Sequence, residues 1–144
     1  MPTVRMFSED CELSAVIHPD LHQGTYWTAW VYAGNFHRMV AEIIVGDMGQ
    51  AATLDMEMQE ARDATGTGGQ GIGTKAITQL TQAGGDGDDS CLIECEMVEM
   101  TDGYSYVRLR VDSLTASANW VATLRGWRPR FSPVTNNYTE VISG

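Results

Sequence analysis

The chain has 144 residues, 43% hydrophobic and 19% charged, enough for one well-buried core, which argues against wholesale disorder and against two full domains. Nine basic against nineteen acidic residues give a formal net charge of -10, which repels a phosphate backbone, so nucleic acid is not an expected partner. No run approaches the ~20 apolar residues of a membrane helix, and MPTVRMFSED does not lead a charged start into an apolar stretch, so neither a membrane nor secretion is expected.

The cysteines, Cys11, Cys91 and Cys95, are odd in number and sparse, which fits buried free thiols in a reducing cytosol. The first segment, 1–23, is acidic, contains His18-Pro19 and shows little periodicity. It is expected to be an N-terminal arm or extended segment ahead of a single β-sandwich domain over 24–144.

TYWTAWVY is aromatic and β-branched, Asn35 marks a turn, and RMVAEIIVG follows as a largely apolar strand, so a hairpin is expected over 26–46. In ATLDMEMQEA, period two puts Ala52, Leu54, Met56 and Met58 on one face and Thr53, Asp55, Glu57 and Gln59 on the other. That reads as a half-buried strand, although Leu54, Met58 and Ala61 are also helix-spaced.

Glycines crowd DATGTGGQGIGTK, KAITQL resumes a short apolar pattern, and QAGGDGDDS forms a second loop; both loops are expected to be exposed and mobile. CLIECEMV and YSYVRLRV are separated by Asp102-Gly103, a hairpin signal, and NWVATLRGW closes the series. Val107, Leu109 and Val111 alternate with Tyr106, Arg108 and Arg110. About six to eight such strands without a long helix predict an all-β fold, an antiparallel β-sandwich or barrel of jelly-roll-like character with long Gly-rich loops.

The motifs that carry chemistry elsewhere fail here on context. Gly66, Gly68 and Gly71 satisfy G-x-G-x-x-G, but the strand before them is amphipathic and no helix follows. In GGQGIGTK the Thr precedes the Lys, the wrong order for a phosphate loop. His18 and His22 have zinc-helix spacing but enclose Pro19, so they read as solvated loop histidines.

Cys91 and Cys95 fit a small-residue core stripe. Asp86, Asp88 and Asp89 are weak candidates for a calcium loop, without EF-hand spacing, and a solvated acidic turn is the plainer reading. No activated nucleophile is recognisable, so no catalytic residue, cofactor or metal site is assigned and the chain is not expected to be an enzyme.

The aromatics Trp27, Trp30, Tyr32, Phe36, Trp120, Trp127 and Phe131 are read as core or interface. Arg108, Arg110, Arg125, Arg128 and Arg130 crowd the C-terminal part and suggest a locally positive face suited to an acidic protein surface.

The TYWTAWV strand, the apolar strand from Met39, the loop MQEARDATGTGGQGIGTKAI, GYSYVRLRV and RPRFSPV together resemble a family of small tailed-phage and prophage head proteins. In these, a strand ends in a Q-A-x-D-A-x-G-T-G-x-K-A-I loop. The match runs over Gln59, Ala61, Asp63, Ala64, Gly66, Thr67, Gly68, Lys75, Ala76 and Ile77, with extra glycines before Lys75 and unusual acidity as departures.

The resemblance implies a virion structural role, first a capsid decoration or cement protein bound to the outer head surface, with the major capsid protein as partner. It implies a virion location after synthesis in a bacterial cytoplasm. Repeated threefold sites on a shell favour a small homo-oligomer, first a trimer. Phe7, Leu13, Trp127, Arg128 and Arg130 are nominated for protein contacts. A neck or tail component, a calcium-assisted carbohydrate-binding module and a small hydrolase with a scattered site are the alternatives.

Overall fold

The computed structural model describes residues 6–131 and 137–142. Among these, a four-residue helix α1 (Phe7–Asp10) precedes eight strands: β1 (Cys11–Trp27), β2 (Val31–Tyr32), β3 (Phe36–Met48), β4 (Thr53–Ala61), β5 (Gln70–Ala76), β6 (Leu80–Thr81), β7 (Ser90–Glu96) and β8 (Tyr106–Pro129). All pairings are antiparallel within one sheet, as the expected all-β architecture requires.

β8 is the spine. Its second half pairs with β1 on one side (Cys11↔Trp127 to His22↔Ala118) and with β3 on the other (Phe36↔Pro129 to Met48↔Ala118). Its first half pairs with the end of β1 (Gly24↔Ser113 to Trp27↔Arg110) and with β4 (Thr53↔Leu114 to Ala61↔Tyr106). The three strands β1, β3 and β8 bend at one level, because the β1 register jumps between His22 and Gly24, the β3 register jumps between Val45 and Met48, and Thr115 (φ 71), Ala51 (φ 64) and Gly24 (φ 129) take left-handed backbone there. Such bends let a strand pass from one layer to another.

The corner divides the sheet in two. Sheet I comprises the first part of β1, the second half of β8, β3 and β7; sheet II comprises the end of β1 with β2, the first half of β8, β4, β5 and β6. Their inward residues form one core: Met39, Ala41, Ile43, Trp120 and Leu124 from sheet I with Leu54, Met56, Met58, Leu109 and Val111 from sheet II. Period-two alternation in β4 and β8 therefore holds as read. The open edges nearly meet, where Lys75 of β5 pairs with Glu99 just after β7 at 3.0 Å.

Several expectations differ in register or partner. Residues 11–23, read as an arm or extended segment, are extended but paired into the sheet along β8. Three register shifts and Pro19 erase the alternation that would have signalled a strand. No hairpin spans 26–46, because β1, β2 and β3 each pair with β8 rather than with one another. Asp102-Gly103 is a turn, but it joins β7 to β8 without pairing them, since β3 lies between. YSYVRLRV and NWVATLRGW are two halves of one strand, and the glycine-rich stretch is itself β5, while 77–79 of KAITQL separates β5 from β6.

The thiols follow burial. Cys95, on the inward face of β7, is pushed up to about 11 from 9.0, by burial first and then by Glu99, with Lys75 opposing. A raised folded pKa keeps the neutral thiol favoured, so its contribution is complete below the unfolded value and lost as pH rises from about 9 toward 11. Denaturant titrations of the protein and of Cys95→Ala across that window should show a stability difference that shrinks as pH rises. A constant difference would contradict the assignment.

Candidate interaction surfaces

With the core inside, the register specifies what each of the two outer faces carries. On sheet I the outward rows read Val121 beside Ile44 and Ser90, Thr123 beside Glu42 and Leu92, Arg125 beside Val40 and Glu94, and Trp127 beside Arg38 and Glu96. Across β8, Leu21, Val16, Leu13 and Cys11 stand opposite Asn119, Thr123, Arg125 and Trp127. Leu21, Ile44 and Leu92 are 59%, 51% and 56% exposed, three aliphatics set among polar neighbours on the same outward face.

At one end of this face the nominated residues partly converge. Phe7 from α1 stacks on Trp127 with ring centroids 5.6 Å apart, over buried Cys11, whose thiol is pushed up by burial against the opposing pull of Arg125. Phe7, Val40, Arg125 and Trp127 line a groove of about 240 Å³. The chain returns here, with Asn137 donating to the Leu13 carbonyl at 2.9 Å and Arg125 donating to the Tyr138 hydroxyl. Phe7, Leu13 and Trp127 thus share one neighbourhood.

Arg128 and Arg130 do not join it. Arg128 is exposed in a left-handed conformation (φ 55), and Arg130 donates its backbone N–H to the Asn35 carbonyl at 2.7 Å. The five clustered arginines make no single positive face, because Arg108 and Arg110 lie on sheet II and Arg125 on sheet I. Period-two reading cannot show that division, since the strand passes from one sheet to the other between them.

The outer face of sheet II has a different chemistry. Its rows are Thr25, Asp112 and Asp55; Trp27, Arg110 and Glu57; Arg108 and Gln59; and Tyr32, Tyr106 and Ala61. Arg108 donates to Gln59 Oε1 at 2.8 Å and lies over the rings of Trp30 and Trp27 at 4.3 and 5.7 Å. Gln59 donates to Glu57 Oε1 at 2.6 Å, and Arg110 lies 3.8 Å from Glu57 and 3.4 Å from Asp112. Trp27 and Tyr32 are 51% and 50% exposed.

The glycine-rich loop after β4 is a built turn. Asp63 Oδ1 accepts from the Thr65 N–H at 3.0 Å, the Thr65 hydroxyl at 2.7 Å and the Thr67 N–H at 3.1 Å. These bonds, from Thr67 first and then Thr65, hold its carboxyl well below the ordinary 3.8. Gly66 (φ +88) lies against Trp30, where a Cβ would come within 2.6 Å of the indole nitrogen. The loop is largely exposed, as expected, and its glycines serve a defined path and close packing.

A depressed carboxylate favours the fold above its unfolded pKa and loses that contribution as pH falls through the folded value. Asp63→Ala should therefore speed amide exchange at Thr65 and Thr67 at neutral pH. Unchanged exchange would mean that the carboxylate does not hold the turn.

Asp86, Asp88 and Asp89 are part of a tied corner: Asp86 Oδ2 accepts from the Thr81 N–H at 2.8 Å, and Asp88 and Asp89 exchange backbone bonds with Gly46 and Val45. No group of three metal-ligating side chains converges among the described residues. His22 is buried rather than solvated, with its ring 4.1 Å from that of Trp120 and its Nε2 donating to the His18 carbonyl at 2.9 Å.

No protein-family model matches the chain, and no curated protein matches its sequence. Solved structures that resemble it include infectious bursal disease virus Gx strain, at 14% identity over 81% of this chain with a TM-score of 0.39; the chain spans 29% of that viral chain. Broad bean stain virus is similar at 11% identity over 99% of this chain and 97% of the other, TM-score 0.45. A xylan-binding module is similar at 11% identity over 79% and 97%, TM-score 0.33. At such identities the likeness assigns no role to any residue.

Proposed function

We propose that the chain is a structural protein of a tailed-phage virion, a decoration or cement protein that docks on the outer head surface through the aliphatic face of sheet I. The observation that carries this reading is that Leu21, Ile44 and Leu92 all face outward on sheet I and remain half exposed. The family resemblance of the Asp63 loop supports the same reading. Apolar area of this kind gains free energy only when another surface covers it, and a cement protein works by covering junctions between shell subunits.

The major capsid protein is the proposed partner. A trimer suits threefold sites, because three linked contacts multiply weak individual ones. The role needs no turnover, only buried area and fit. The test is to mix the protein with expanded, undecorated shells of the virus that encodes it, then measure co-sedimentation and the shells' disruption temperature. Saturable binding at a fixed copy number with a raised disruption temperature is expected. Absence of binding at micromolar protein overturns the cement role and leaves a neck or tail component.

A further inference from the structure

We propose that the outer face of sheet II is a second binding surface, one that takes a neutral polysaccharide. The sorting of exposed side chains between the two faces motivates it. Sheet I exposes the aliphatics Leu21, Ile44 and Leu92 along its face, with the Phe7–Trp127 pair confined to one end, whereas the rings of Trp27 and Tyr32 stand outward on sheet II with Arg108, Glu57 and Arg110 set between and beside them. The rungs of Trp27 and Tyr32 lie at Arg110 and Tyr106, about 14 Å apart along an antiparallel strand.

A sugar chain presents C–H faces that stack on rings and a rim of hydroxyls that both donate and accept. This face offers both halves of that chemistry. Arg108 is held in one plane by Trp30 and by its single bond to Gln59, and no carboxylate lies within ion-pair distance of its guanidinium among the described residues. Its remaining N–H groups are preset to meet a pair of hydroxyls, with little side-chain entropy left to lose. Glu57 supplies an acceptor at a fixed position, its carboxylate held by the amide of the buried Gln59.

Charge selects the class of glycan. Asp55, Glu57 and Asp112 outnumber Arg108 and Arg110 on the face, and the whole chain carries -10, so an acidic polysaccharide meets net repulsion. A protein partner fits less well, since interface cores are depleted of charge and this face has charged side chains at its centre.

The test is affinity gel electrophoresis of the intact protein in gels containing xylan, laminarin, dextran or galactomannan as neutral probes, with alginate as the acidic one. Retardation by at least one neutral polysaccharide is expected, about tenfold weaker or worse in Trp27→Ala and in Tyr32→Ala, and unchanged in Leu92→Glu on the opposite face. Circular dichroism of each variant establishes folding, and Trp27→Phe, which keeps a ring, should retain binding if Trp27→Ala does not fold. Migration unaffected by every neutral probe, retardation by alginate alone, or retardation equal in the protein and a folded Trp27→Ala or Tyr32→Ala variant overturns the proposal. None of these outcomes bears on shell binding, which uses the other sheet.

Discussion

Phe36→Ala is expected to lower stability by about 3–5 kcal/mol, a fall of roughly 10 °C or more in Tm for a chain of this length. Phe36 is 2% exposed, and its ring lies on Gly126 of β8, where a built Cβ would stand 2.4 Å from ring carbons. The glycine at the end of the spine is therefore space reserved for the ring. Gly126→Ala alone should cost about 1–3 kcal/mol by forcing the ring aside. In the double variant the ring is gone, the methyl has room, and the total should fall clearly short of the sum of the two single effects. Urea titrations of all three variants decide this, and additive losses would show that the ring does not reserve that space.

The second large effect is expected at Glu60, a carboxylate 1% exposed that joins three parts of the edge. Its Oε1 accepts from Gln70 of β5 at 2.9 Å and from the Thr101 hydroxyl at 2.5 Å, and its Oε2 accepts from the Thr101 N–H at 3.0 Å. Glu60→Ala strands these donors and opens a cavity, a loss of about 3 kcal/mol. Glu60→Gln keeps the volume but turns an amide NH2 toward groups that only donate or prefer to, so about 1–2 kcal/mol should go. Proteolysis around Thr101 should rise in step with each loss. Equal, small effects in both variants would mean that the edges are held elsewhere.

How far the sequence reveals this molecule depends on which signal is asked. β4 was legible because Leu54, Met56 and Met58 alternate without a break, and both halves of β8 were legible for the same reason. Their continuity was not, because the bend at 114–117 contains no Gly or Pro and Thr115 takes its positive φ unannounced. β1 was hidden by its own bulges, which shift the side-chain phase three times in seventeen residues. Nothing local told β2 to pair with β8 across a separation of seventy-odd positions; only the closed sheet decides that.

The candidate surface was half legible. Phe7, Leu13 and Trp127 were found by composition and do come together, while Arg128 and Arg130 were chosen for charge and lie apart. The outward aliphatics were missed although a signal existed. In β3 and β7 the inward positions are apolar throughout, so Val40, Ile44 and Leu92 are apolar residues in the outward phase. Run together as EIIVG and CLIEC, they read as ordinary strand hydrophobicity, and only the register shows that half of that hydrophobicity faces out.

The most direct test of the proposed docking is shell co-sedimentation of the Ile44→Glu, Leu92→Glu double variant beside the unaltered protein. Two outward glutamates leave the core untouched, so circular dichroism and Tm should stay close to those of the parent. Shell binding should weaken by about a hundredfold or more through lost apolar contact and buried unpaired charge. A folded double variant that still fills the shell at the parent's copy number and affinity would contradict docking through sheet I.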